Sequence, residues 1–177
     1  MNDMSPMNGY GKVTGPMTLT IQRKLPGPAE RIWAYLTDSD LRRQWLASGI
    51  MPQEVGRPFD LTWRNDELSD SSDERPDGFG AEHTMRSEII AFDPPHRLAF
   101  SWPPGGEVSF ELQPAGKEIL LTITHRRISD RSNMVMVGAG WHLHLDVLTA
   151  RLSDTTPESF WAGWNRLRQE YEQRIPA

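Results

Sequence analysis

Apolar and polar residues alternate along several segments of the chain, which predicts β-strands with one buried face. Residues 17–22 alternate in this way, and Phe59, Leu61 and Trp63 form the apolar face of a second strand. The same period of two recurs later, in residues 83–92, 98–102, 108–112 and 119–125. Short turns with Pro or Gly separate the later strands, so we expect them to pair as an antiparallel meander.

Helical spacing of apolar residues follows the first strand and ends the chain. Residues 29–37 place Ile32, Trp33 and Leu36 on one helical face, and a second short helix is predicted through residue 46. The stripes near the C-terminus are Trp141, Leu145, Leu148 and Leu152, then Phe160, Trp164, Leu167 and Tyr171. The break at residues 153–156 makes the last helix, about residues 157–175, an extension.

These elements predict an α+β fold in which one long helix covers the apolar face of a curved antiparallel sheet. Because a twisted sheet curls away from a straight helix, a gap between the two is expected. Residues 1–16 are predicted to be a flexible N-terminal tail, and residues 17–177 a single domain. Residues 65–80 are acidic and rich in Ser, Asp and Gly, which is typical of a solvated loop.

Composition and charge exclude several classes of partner and cofactor. Net charge is −5 and the basic residues are scattered, so no nucleic-acid partner is expected. The absence of Cys excludes thiolate chemistry and favours a cytoplasmic location. No apolar run approaches the roughly 18 residues of a membrane span, so no membrane insertion is expected. No cofactor fingerprint or phosphate loop is present, and no cofactor is predicted.

Several short phrases stand in order along the chain. They are PAERIW at residues 28–33, LTD at 36–38, QWL at 44–46, EIIAFDPPHRL at 88–98, FSW at 100–102 and GWHLHL at 140–145. Together they resemble the SRPBCC superfamily (START and Bet v 1-like proteins), in the branch related to the activator of the Hsp90 ATPase. The resemblance implies a helix-grip fold with a cavity between sheet and C-terminal helix. It implies no common catalytic set, since such proteins include lipid carriers, hormone-binding proteins, aromatase/cyclases and co-chaperone fragments.

The seven Trp residues are more than packing usually needs, and indoles often line concave binding surfaces. The predicted ligand-binding residues are Trp33, Trp45, Phe59, Trp63, Phe100, Trp102, Phe110, His125, Trp141, His144, Leu145 and Leu148. Within this set, His125 and His144 are the candidate polar anchors. The alternative is that the bulky rings fill the gap completely.

Other polar residues allow weaker hypotheses. His142 and Asp146, at i and i+4, could share a metal ion, but His144 lies about 200° away around the helix and no third ligand is evident. No metal site is therefore predicted. For residues 83–92, parity does not decide which face is inward. We favour an outward position for Arg86 and Glu88, which would form a surface pair.

The sequence is compatible with three functions. The first is binding of a small apolar or aromatic molecule. The second is a cyclase- or hydrolase-like enzyme that uses His125, His144 or Glu88 as general base. The third is an interaction module, either an Hsp90-type co-chaperone or a homodimer that uses the C-terminal aromatic residues, which would require an exposed apolar patch.

Overall fold

The computed structural model describes residues 9–69, 75–76 and 79–176, and within them seven antiparallel strands form one curved sheet. The strands are β1 (Lys12–Gly15), β2 (Thr18–Pro26), β3 (Pro58–Trp63), β4 (His83–Asp93), β5 (Arg97–Trp102), β6 (Gly106–Ala115) and β7 (Glu118–Arg126). Their order across the sheet is β1-β2-β7-β6-β5-β4-β3. The helices are α1 (Ala29–Thr37), α2 (Ser39–Arg42), α3 (Arg131–Leu152) and α4 (Phe160–Arg174), and a short 3₁₀ helix spans Asn65–Leu68. The predicted α+β class with a long C-terminal helix is confirmed.

The apolar residues of the strands share one face of the sheet, as their alternation predicts. Ile21 of β2 pairs with Ile123 of β7, and Leu98 of β5 pairs with Phe110 of β6; all four are buried. α3 packs across this face, where the ring of Trp141 lies 5.6 Å from that of Phe110. The core therefore lies between α3 and the concave side of the sheet.

α3 is buried on more than one side. Its predicted stripe of Trp141, Leu145, Leu148 and Leu152 is buried, but so are His142 and Leu143 on other faces of the helix. The sheet covers one side of α3, and α4 covers another. The helix also begins ten residues before the predicted stripe, because the side chain of Asp130 caps it by accepting the backbone N–H of Asn133.

α4 packs closely against α3 at two glycines. A Cβ atom added to Gly138 of α3 would lie 2.8 Å from the ring of Tyr171, and one added to Gly163 of α4 would lie 2.8 Å from the side chain of Leu143. Larger residues at these positions would push the helices apart. The C-terminal extension is thus an integral layer over α3.

The second predicted short helix ends earlier than expected. Regular helix stops at Arg42, and residues 43–46 continue as turns that bury Trp45 and Leu46. The Arg42 side chain is also buried and donates to the carbonyl oxygen of Ala47, among others. Burial of these residues requires the chain to turn inward here, which a continued helix would prevent.

The segment predicted as a flexible tail is partly ordered. Lys12–Gly15 forms β1, in which Val13 pairs with Leu19 of β2. Just before it, the ring of Tyr10 lies 4.7 Å from that of His142. Backbone pairing and this aromatic contact hold the segment in place, while residues 1–8 lie outside the described residues. Of the predicted 65–80 loop, residues 70–74 and 77–78 also lie outside them.

Candidate functional site

A cavity of about 560 Å³ lies between one end of the sheet and the N-terminal half of α3. Its walls are Leu46, Trp63, Asn65, Phe79, Gly80, His83, Thr84, Met85, Trp102, Pro103, His125, Met136, Val137, Gly140, Trp141, His144, Phe160, Trp161 and Trp164. The antiparallel order explains the location, because the C-terminal ends of β3, β5 and β7 and the beginning of β4 meet at the same end of the sheet. The volume is typical of a small-molecule pocket.

Three tryptophans from different elements form an aromatic wall. The ring of Trp102, at the end of β5, lies 5.6 Å from Trp63 of β3 and 5.7 Å from Trp141 of α3. Each occupies an inward position of its strand or helix, as the alternation and the helical stripe predict. Rings held in this tilted packing present both faces and edges to a molecule in the cavity.

A second aromatic group comes from α4 and the loop before β4. The ring of Phe79 lies 5.3 Å from that of Trp161 and 5.5 Å from that of Trp164. The indole N–H of Trp161 donates to Oδ1 of Asp66 at 2.7 Å, which fixes its orientation. A homodimer through the C-terminal aromatic residues is one of the hypotheses that the sequence leaves open. In the folded chain, Phe160, Trp161 and Trp164 are buried and border the cavity.

His125 at the end of β7 borders the cavity beside two indoles. Its ring lies 4.9 Å from that of Trp102, and its Nδ1 accepts the indole N–H of Trp141 at 3.1 Å. Burial lowers the pKa of His125 to about 4. The imidazole is therefore neutral at physiological pH.

His144 reaches the cavity from the opposite wall. Its Nδ1 lies 2.8 Å from the carbonyl oxygen of Trp45, and its ring lies 5.3 Å from that of Phe160. Burial lowers the pKa of His144 to about 4, although the bond to the Trp45 carbonyl acts in the opposite direction. This imidazole is also neutral at physiological pH.

Five of the twelve predicted ligand-binding residues border the cavity: Trp63, Trp102, His125, Trp141 and His144. The other seven do not: Trp33, Trp45, Phe59, Phe100, Phe110, Leu145 and Leu148. Trp33 is half-buried against Phe92, and the remaining six are buried in the core. A period of two identifies the inward face of a strand but not how far along the strand the cavity lies. The role of these residues in binding stays a prediction.

Arg86 and the candidate general base Glu88 lie away from the cavity. Arg86 and Glu88 are on the exposed face of β4, as favoured, but Arg86 pairs with Asp60 at 3.2 Å and not with Glu88 as expected. The inward residues of this strand are Ser87 and Ile89, with Met85 half-buried. Glu88 is therefore not placed to act on a molecule in the cavity.

His142 and Asp146 lie on another side of α3, away from the cavity. Arg23 donates to Asp146 at 3.0 Å, and Nε2 of His142 lies 3.6 Å from the same carboxylate. Nδ1 of His142 is 3.0 Å from the Tyr171 hydroxyl, which accepts the backbone N–H of Gly11. Burial, with nearby arginines, lowers the pKa of His142 to about 3, so its contact with Asp146 is not an ion pair. This network joins α3, α4 and the segment before β1.

No group of three or more His, Asp or Glu side chains that could hold a metal ion occurs among the residues the structure describes. Within the same residues, no helix combines the length and the apolar composition needed to cross a membrane.

Comparison with known families agrees with this architecture. The sequence model of the activator of Hsp90 ATPase homolog 1-like proteins matches residues 26–153. The chain belongs to this family. The match confirms the resemblance described from the sequence phrases. α4 follows the matched region, so three of the aromatic residues around the cavity of this Hsp90-activator-like protein lie outside the part that defines the family.

Solved structures extend the likeness to the whole fold. A solution structure of the protein encoded by gene BPP1335 from Bordetella parapertussis is 36% identical, with a TM-score of 0.79, and the match covers 96% of this chain and 92% of that chain. CalU16 from Micromonospora echinospora is 19% identical, with a TM-score of 0.65, and the match covers 90% and 89% of the two chains. DynU16, from the dynemicin biosynthetic locus, is 18% identical with a TM-score of 0.65, over 81% of this chain and 49% of that chain. Because CalU16 and DynU16 are less than 20% identical to this chain, their likeness shows the fold alone. No curated protein matches the chain.

Proposed function

We propose that this protein binds a small, uncharged, apolar or aromatic molecule in the cavity between α3, α4 and the end of the sheet. The observation that carries the proposal is the combination of an open volume of about 560 Å³ with walls that contain five indole and two phenyl rings. Rings that served only to fill a core would be expected to close such a volume, because protein interiors pack with few voids larger than a water molecule.

The chemistry of the walls supports an uncharged ligand. The described residues that border the cavity include no Lys, Arg, Asp or Glu. A charged ligand would leave water without a compensating partner, which is strongly unfavourable. The few polar groups, His125 and His144 among them, would orient a ligand rather than neutralise it.

A cavity-filling variant tests the proposal. Val137 lines the cavity from α3, so Val137→Trp would place an additional indole in the space that a ligand would occupy. We expect this variant to weaken binding of apolar aromatic compounds by tenfold or more, measured by calorimetric titration. Val55→Trp is the matched control, because Val55 is 59% exposed and does not border the cavity.

Native mass spectrometry of the purified protein supplies an independent measurement. A co-purified molecule that is present with Val55→Trp and absent with Val137→Trp would support the cavity as its site. Equal affinity of the two variants for every compound bound by the unmodified protein would contradict it.

The enzyme hypothesis has less support. An imidazole whose pKa is lowered to about 4 is a weak general base at neutral pH, and this applies to both His125 and His144. Glu88, the remaining candidate, is on the exposed face of β4.

The interaction hypothesis also has less support. The C-terminal aromatic residues named for it, Phe160 and Trp164, are buried within the single chain. A homodimer stays a prediction, and light scattering during size-exclusion chromatography measures it directly.

A further inference from the structure

The two cavity histidines are held in opposite tautomers by their neighbours. Nδ1 of His125 lies 3.1 Å from Nε1 of Trp141. An indole nitrogen can only donate, so Nδ1 of His125 must accept and cannot carry a proton. In the neutral ring the proton is then on Nε2, which makes that atom a hydrogen-bond donor.

The same reasoning applied to His144 gives the reverse assignment. Its Nδ1 lies 2.8 Å from the backbone carbonyl oxygen of Trp45. A carbonyl oxygen can only accept, so Nδ1 of His144 must carry the proton. Its Nε2 is left with a free lone pair, which makes that atom a hydrogen-bond acceptor.

Both Nε2 atoms are available to a ligand. Neither makes a hydrogen bond within the described part of the chain, and both rings border the cavity. Neither atom is among the fully buried side-chain atoms that lack a hydrogen-bond partner in the described residues, so each keeps some exposed area on a ring that borders the cavity. The two histidines therefore contribute one donor and one acceptor to a wall whose other polar residues are Asn65, His83 and Thr84 among the residues described, and which is otherwise mostly apolar.

We propose that the ligand is a neutral aromatic molecule with two polar groups: an acceptor such as a carbonyl oxygen, bound by Nε2–H of His125, and a hydroxyl or amine donor, bound by Nε2 of His144. This inference rests on the proposed binding function and adds the ligand's hydrogen-bonding pattern to it. A carboxylate of similar size is excluded, because it offers no donor to His144 and would bring an uncompensated charge into the cavity.

Nuclear magnetic resonance tests the tautomers without any ligand. Long-range ¹H–¹⁵N spectra at pH 7 distinguish a protonated imidazole nitrogen from an unprotonated one. We expect His125 to be protonated on Nε2 and His144 on Nδ1. The opposite assignment at either residue, or a charged ring, would overturn the proposal.

Matched pairs of naphthalene derivatives test the donor and the acceptor separately. 2-Naphthol differs from 2-methoxynaphthalene by the hydroxyl proton that His144 would accept. 2-Acetylnaphthalene differs from 2-ethylnaphthalene by the carbonyl oxygen that His125 would bind. The ratio of affinities within each pair is measured in the unmodified protein and in each variant, so that desolvation of the compounds cancels.

We expect the two variants to show opposite selectivity. His144→Phe should reduce the preference for 2-naphthol over its methyl ether by roughly three- to tenfold, the usual contribution of one neutral hydrogen bond, and leave the other pair unchanged. His125→Phe should do the reverse. His96→Phe is the control, because His96 is exposed and does not border the cavity, and it should alter neither ratio.

The outcomes separate this inference from the proposed function. If the compounds bind but neither ratio responds to its variant, or the responses are exchanged, the donor–acceptor pattern is refuted while binding in the cavity stands. If no compound binds the unmodified protein, both the pattern and the proposed function are refuted. Should a histidine variant fail to fold, the spectra of the unmodified protein still decide the tautomers.

Discussion

Arg42 provides the clearest prediction about stability. Only 1% of its surface is exposed, and its guanidinium donates to the carbonyl oxygens of Leu36, Thr37, Ala47 and Gly49. The first two belong to the last turn of α1, where backbone carbonyls have no partner within the helix. The other two lie in the loop that leads to β3. One side chain thus joins the end of a helix to the following loop.

Replacing Arg42 with Met keeps most of the apolar stem but removes every donor. Burial lowers the pKa of Arg42 to about 10, so the group is still charged at neutral pH. A buried acceptor left without a partner costs roughly 1–3 kcal/mol, although water can reach some of these oxygens after the change. We therefore expect the free energy of unfolding to fall by about 3–5 kcal/mol, because four carbonyl oxygens lose their donor at once.

Urea unfolding followed by tryptophan fluorescence measures the effect. Arg42→Lys, which keeps the charge but fewer donors, should lose roughly half as much. Arg43→Met is the matched control, since Arg43 is half-exposed and pairs with Glu67 on the surface; it should change stability by about 0.5 kcal/mol or less. A loss below about 1 kcal/mol for Arg42→Met, or one equal to that of the control, would refute the reasoning.

Two further predictions concern backbone strain and acid. Gly49→Ala should destabilise the protein strongly in the same urea assay, because φ is +137° and the new Cβ would lie 1.8 Å from the carbonyl oxygen of Asp60 in β3. Gly56→Ala is the control: φ is +89° but the space around it is open, so the free energy of unfolding should fall clearly less. Burial lowers the pKa of three histidines to about 3 or 4: His125, His142 and His144. Since the unfolded chain binds protons at a higher pH than the folded one, the stability present at pH 7.5 should decrease by roughly 2 kcal/mol or more at pH 5; equal stability at both values would contradict these shifts.

The strands and the long helix were predictable because local periodicity reports directly on burial. The alternation of Phe59, Leu61 and Trp63 matches the buried face of β3, and the stripe that begins at Trp141 matches the core side of α3. In β4, the alternation alone does not decide which face is buried. Arg86 and Glu88 alternate with Ser87 and Ile89, and both sets are plausible inward residues. The pairing of Phe59 with Ser87 places the second set on the inner face.

Two features could not be predicted from local signals. Lys12–Gly15 lacks the composition of a buried strand, yet it forms β1 because β2 offers an unpaired edge. The α4 residues Phe160 and Trp164 have the spacing of an amphipathic helix, but their spacing does not say what covers them. α3 and the cavity do, because α4 folds back along the helix that precedes it.

Local spacing of residues was enough to predict the class of fold, the inward faces of most elements and a set of inward aromatic residues, because each depends on positions within a few turns or along one strand. Which inward positions border the cavity, and which nitrogen of each cavity histidine is free, follow from the assembled fold. Trp102 and His125 are 23 positions apart in the sequence and stand at the ends of two different strands. The ring of His144 is hydrogen-bonded to the backbone carbonyl of Trp45, which lies in a distant loop. Such relations depend on sheet order, curvature and helix docking, which no local periodicity contains.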